Sequence, residues 1–111
     1  MTSVNANVIE VNFSNFDREV LEAKQPVLVE FWADWSLPCR DMDPLLKSVS
    51  EEDVLSLKVA RVNVAHGENL TDRYGVRAVP TFLLFNQGDV RDQIVGRTTR
   101  QAVQESLARL R

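Results

Sequence analysis

Apolar positions along this chain follow two rhythms. Val27-Leu28-Val29-Glu30-Phe31-Trp32 is a near-continuous apolar run, the pattern of a strand buried on both faces, with one carboxylate in its middle. The run breaks at Asp34-Trp35-Ser36, and a helical pattern follows. Cys39, Met42, Leu45, Leu46 and Val49 share one face of it, and Pro44 should kink it. A core strand therefore delivers its end into a helix start. Upstream, Val8–Val11 is a short β-branched run and predicts an edge strand. Ser14 is placed to cap a helix whose stripe is Phe16, Val20 and Leu21, with Gln25-Pro26 ending it. Residues 1–7 are polar and small, as in a frayed terminus.

Downstream, Leu57 to Val64 predicts a second buried strand and Ala65 to Glu68 a loop. Asn69 to Tyr74 predicts a short helix closed by Gly75. Thr81 to Phe85 and Val90 to Val95 flank the turn residues Asn86-Gln87-Gly88-Asp89 and predict an antiparallel hairpin. Gly96 marks a bend. A last helix starts at Thr99, with Val103, Leu107 and Leu110 at i, i+4 and i+7. Strands alternating with helices, then a hairpin and a closing helix, predict an α/β architecture. A central mixed β-sheet carries helices on both faces, and residues 1–111 form a single domain.

Composition narrows the chemistry. The 111 residues are 44% hydrophobic and 26% charged, the balance of one ordinary core under a charged surface. A net charge of −3 gives no electrostatic reason to expect nucleic acid or an anionic membrane as partner. No apolar run approaches the ~20 residues needed to cross a bilayer. Met1 to Asn5 has neither the basic nor the apolar region of a signal peptide, so a cytoplasmic setting is expected. Cys39 is the only cysteine. It excludes an intramolecular disulfide and a multi-thiolate metal site within one chain. No cofactor is expected.

The strand-to-helix junction reads Phe31-Trp32-Ala33-Asp34-Trp35-Ser36-Leu37-Pro38-Cys39-Arg40. It resembles the active-site signature of the thioredoxin family, F-W-A-x-W-C-x-P-C-[KR], with Ser36 in place of the first cysteine and Leu37 in place of the usual glycine. Three further stretches extend the resemblance over nearly the whole chain. They are Tyr74-Gly75-Val76-Arg77-Ala78-Val79-Pro80-Thr81, Phe85-Asn86-Gln87-Gly88 and Val95-Gly96. It implies a thioredoxin fold and a cis peptide bond before Pro80. It also implies a substrate groove formed by Trp35, Leu37, Pro38, Val79, Pro80 and Gly96, in which an extended peptide pairs with backbone.

Within that frame Ser36, Cys39 and Glu30 are the candidate reactive positions. A dithiol reductase needs one sulfur to attack and one to resolve. A serine hydroxyl without an adjacent base is a negligible nucleophile, and no base lies nearby in sequence. Ser36 then either marks a lost attacking thiol or simply caps the helix. Cys39 matches the resolving position, and is either an inert core filler or a slow monothiol. Glu30 matches the family's buried proton-relaying aspartate. Either desolvation raises its pKa, or it stays ionised beside Arg61, which matches a family lysine. Impaired disulfide turnover with binding of protein or peptide clients is therefore expected, in a monomer, with a thioredoxin reductase as the partner the resemblance implies. The alternative is monothiol exchange through Cys39, with glutathione or a partner protein, in redox homeostasis.

Overall fold

Five strands form one mixed sheet with helices on both faces, in a computed structural model that describes residues 7–52 and 56–110. In chain order the elements are β1 (Val8–Val11), a π-helical turn (Asp17–Leu21), β2 (Val27–Trp32), α1 (Leu37–Asp41) and α2 (Asp43–Glu52). Then come β3 (Lys58–Asn63), a 3-10 turn (Val64–His66), α3 (Glu68–Tyr74), β4 (Thr81–Asn86), β5 (Asp89–Val95) and α4 (Arg100–Ala108). The sheet order is β1-β3-β2-β4-β5. β1 and β2 pair with β3 in parallel, while β4 pairs antiparallel with both β2 and β5. This is the α/β arrangement of a thioredoxin fold.

The period of two in β2 divides the core. Val27, Val29 and Phe31 join Phe16, Val20, Leu70 and Phe85 on one face. Leu28 joins Met42, Leu46, Val49, Phe82 and Val103 on the other. Glu30 shares the face of Leu28, so its carboxylate enters the layer under α1 and α2. Residues Val27 to Phe31 are all buried, as the unbroken apolar run requires of a central strand.

Several local expectations are corrected. Ser14 does not cap a helix: its backbone N–H and its hydroxyl both donate to Asn12 Oδ1, at 2.9 and 2.6 Å. The helical turn begins after Phe16 and is π-type, with Glu22 N–H donating to the Asp17 carbonyl at 2.9 Å. Lys58 fastens this turn to β3, donating to the Glu19 carbonyl at 2.7 Å and to its carboxylate at 2.8 Å. Pro44 does more than kink one helix. It has no N–H for the Arg40 carbonyl, and the helix divides at Met42. β3 ends at Asn63, whose side chain accepts the Ala65 N–H at 2.9 Å and opens the 3-10 turn inside the expected loop. The start of the last helix is where it was expected, with Thr99 as its cap and Arg100 as its first residue. The expected frayed stretch lies outside the described residues up to position 6.

Candidate functional site

The end of β2 runs through Ala33 and Asp34 into α1, and Ser36 holds the joint. Its backbone is extended, and its hydroxyl accepts the Cys39 N–H at 3.3 Å. That bond satisfies one of the free amides at the helix start. Pro38 lies in the first turn, where its missing N–H costs nothing. Ser36 is itself buried, while its neighbours Trp35 and Leu37 are 75% and 64% exposed. Cys39 is 1% exposed. Burial pushes its thiol above the ordinary value, against smaller opposite pulls from the Ser36 side chain and the Ala33 backbone.

Across from this helix start lies the loop before β4. The Val79–Pro80 peptide bond is cis. The Val79 backbone makes no hydrogen bond to other backbone among the described residues. Pro80 is buried, and its carbonyl accepts the Gly96 N–H at 2.8 Å, which ties the β5 exit to this loop. Gly96 sits at φ 91°, the left-handed region where glycine carries no Cβ penalty. Arg97 pairs with Asp41 at 2.8 Å and anchors the same exit to α1. Trp35, Val79, Val64, Val76 and Arg77 are among the residues that line a groove of about 250 Å³. The structure thus brings Trp35 and Val79 together, and Pro80 and Gly96 together. Leu37, Pro38, Pro80 and Gly96 do not line that groove.

Beneath Cys39 the face of β2 is charged. Glu30 is fully buried, and among the described residues neither carboxylate oxygen accepts a hydrogen bond. Its partner across the parallel ladder is Arg61, and Arg61's partner on the far side is Glu10. Arg61 Nη2 lies 3.6 Å from Glu30 Oε1 and 3.5 Å from Asp43 Oδ1, while Nε lies 3.7 Å from Glu10 Oε2. The guanidinium stacks on the Trp32 ring at 4.0 Å. Burial raises the Glu30 carboxyl to about 8; Arg61 opposes this, and the charges of Asp43 and Glu10 add to it. Of the two expectations for Glu30, the shift follows the first: Arg61 is beside it, yet burial outweighs that charge and the affinity for the proton is raised. A polar cleft of about 760 Å³ opens beside the cluster, lined by Cys39, Arg61, Trp32 and Asp43 among others.

A family profile described as Thioredoxin matches residues 7–109. The chain is 40% identical over 86 residues to a thioredoxin of Rickettsia felis, covering 78% of this chain and 82% of that one. It is 33% identical over 101 residues to a thioredoxin of Porphyra purpurea, covering 91% and 94%. It is also 33% identical over 108 residues to the chloroplastic thioredoxin M4 of Arabidopsis thaliana, covering 97% of this chain and 56% of that one. The chain belongs to the thioredoxin family. Proteins of this family are thiol-disulfide oxidoreductases that generally act on protein substrates and are reduced by thioredoxin reductase.

Sequence reasoning about this thioredoxin-family site missed Glu10, Trp32 and Asp43. Asp43 stands four residues after Cys39, which is one helical turn, so its position beneath the site was within reach of spacing. Glu10 and Trp32 join through strand register, which a single sequence does not carry. No helix of the described residues is long and apolar enough to cross a membrane. No group of three or more His, Cys, Asp or Glu side chains among them is placed to hold a metal ion.

Proposed function

We propose that this chain is a redox-impaired member of its family that binds extended protein or peptide clients beside Trp35 and Val79 without two-thiol turnover. One observation carries the reading. At the place of the attacking sulfur stands Ser36, and its oxygen is occupied by the Cys39 N–H at the helix start. With Cys39 as the only cysteine, no intramolecular disulfide can form for a reductase to reduce. Exposed Trp35 and Leu37, with the unpaired Val79 backbone, suit strand addition by an extended client. The monothiol alternative is disfavoured, because Cys39 is buried and its thiol holds its proton more firmly than usual. The setting proposed is a monomer in the cytoplasm, where a lone thiol stays reduced.

The test pairs disulfide-dependent insulin turbidity with binding of a reduced, unfolded client. The unmodified chain should show no turnover, and Ser36→Cys should restore some by forming a disulfide with Cys39. Trp35→Ala should weaken client binding about tenfold or more with the fold intact, the loss expected of an aromatic anchor. Robust turnover by the unmodified chain would overturn the redox half. Client binding indifferent to Trp35 would overturn the groove half.

A further inference from the structure

Three carboxylates from three elements surround one guanidinium. Glu10 comes from β1, Glu30 from β2 and Asp43 from the start of α2, with Arg61 of β3 in the centre. The cation is held in place by more than charge. Its plane lies on Trp32, and its aliphatic stem is buried in the sheet, so it cannot swing toward whichever carboxylate is ionised. Its Nη2 faces both Asp43 and Glu30, at 3.5 and 3.6 Å, and only the Asp43 contact has hydrogen-bond geometry. Arg61 Nε and Nη1 make no hydrogen bond among the described residues.

With all three acids ionised the cluster would carry two uncompensated negative charges beside the sheet. One proton relieves most of that repulsion, and it settles where ionisation is costliest. Burial decides the place. The Glu30 side chain is 0% exposed, against 21% for Asp43 and 58% for Glu10. The other groups facing Glu30 are the Cys39 thiol on α1 and the neutral Phe82, its register partner on β4. Neither offers a compensating positive charge.

We infer that Glu10 and Asp43 are positioning residues for the buried acid: they share Arg61 and so keep Glu30 a protonated carboxyl instead of an ion-pair partner. A protonated Glu30 cannot accept the Cys39 proton, so the buried acid is not a base for the thiol near neutral pH. The device lies outside the client groove and does not depend on the client reading.

The experiment is a carbon-13 NMR titration of the Glu30 side-chain carboxyl in the full chain, in the unmodified protein, E10Q, D43N and the double variant. Both substitutions keep side-chain volume and remove one negative charge, so a purely structural role would leave the Glu30 midpoint where it is. The midpoint should fall in each single variant. In the double variant, where Arg61 is left to Glu30 alone, it should fall by about one pH unit or more. Adding R61Q to the double variant should abolish the fall. A Glu30 midpoint unchanged in both single variants overturns the inference, and a shift in only one removes the other residue from it. If the double variant does not fold, E10Q still decides the role of Glu10, whose side chain is the most exposed of the three. No client, thiol reagent or turnover enters the measurement, so failure here leaves the client reading untouched.

Discussion

Glu30 has no hydrogen-bond donor on either oxygen among the described residues, and its burial ties the stability of the whole domain to pH. Its carboxyl is raised from 4.5 to about 8 in the folded chain, with burial as the main cause. For a raised group, the favourable contribution is full below the unfolded value and is lost as pH climbs to the folded one. The domain should therefore lose stability between about pH 4.5 and 8, by up to about 1.4 kcal/mol per pH unit. Glu30→Gln removes the titration and keeps the shape. Its stability relative to the unmodified chain should rise steadily across that window in urea unfolding at fixed pH values. A flat difference would mean that Arg61 already compensates the ionised form. At Ser36 and Cys39 the residue types were legible in sequence, and so was the capping option. Which atom the serine oxygen serves is a matter of backbone geometry.

The elements show local signals prevailing in some places and tertiary contacts in others. Pro44 acts through a missing N–H, a covalent fact, so the helix interruption was readable in advance even though its depth was not. The first helix was misread because Ser14 looks like a good start. Asn12 takes the Ser14 donors instead, and Lys58 pulls the following turn against β3. Gly67 shows a similar constraint between β3 and α3. A Cβ there would stand 2.6 Å from Val62 Cγ1 and 3.2 Å from the Asn63 carbonyl. Val62 is fully buried and cannot give way. Gly67→Ala should cost about 1–3 kcal/mol by overpacking, measured as a shift in denaturation midpoint. A silent substitution would mean that the 3-10 turn is free to move.

For the whole molecule, stability rests on two apolar layers either side of one sheet. In the layer under the π-helical turn and α3, the rings of Phe16, Tyr74 and Phe85 meet pairwise at centroid distances of 5.7, 5.6 and 5.3 Å. They join elements far apart in sequence, and the Phe85 contacts are edge-on, the favoured geometry. Phe85→Ala should cost about 3–5 kcal/mol. That is a large share of the ~5–15 kcal/mol typical of a domain. Thermal or urea unfolding checks it, and a cost below about 1 kcal/mol would show that the layer collapses into the space.

The sequence by itself determined the order of strands and helices, the two-faced burial of β2 and the placement of Ser36, Cys39 and Glu30 at or under one strand-to-helix joint. The element order and the burial of β2 follow from periodicities of two and 3.6 and from turn chemistry, which act over a few residues; the place of Glu30 under the joint followed from the resemblance. Only the tertiary structure decided that Glu10, Glu30 and Asp43 share a single Arg61. It also decided that Leu37 and Pro38 stand outside the groove where Val79 meets Trp35, and that Asn12 displaces Ser14 as the organiser of the first turn. Strand register and cross-sheet packing set those contacts, and a one-residue slip would have sent each of these strand side chains to the opposite face.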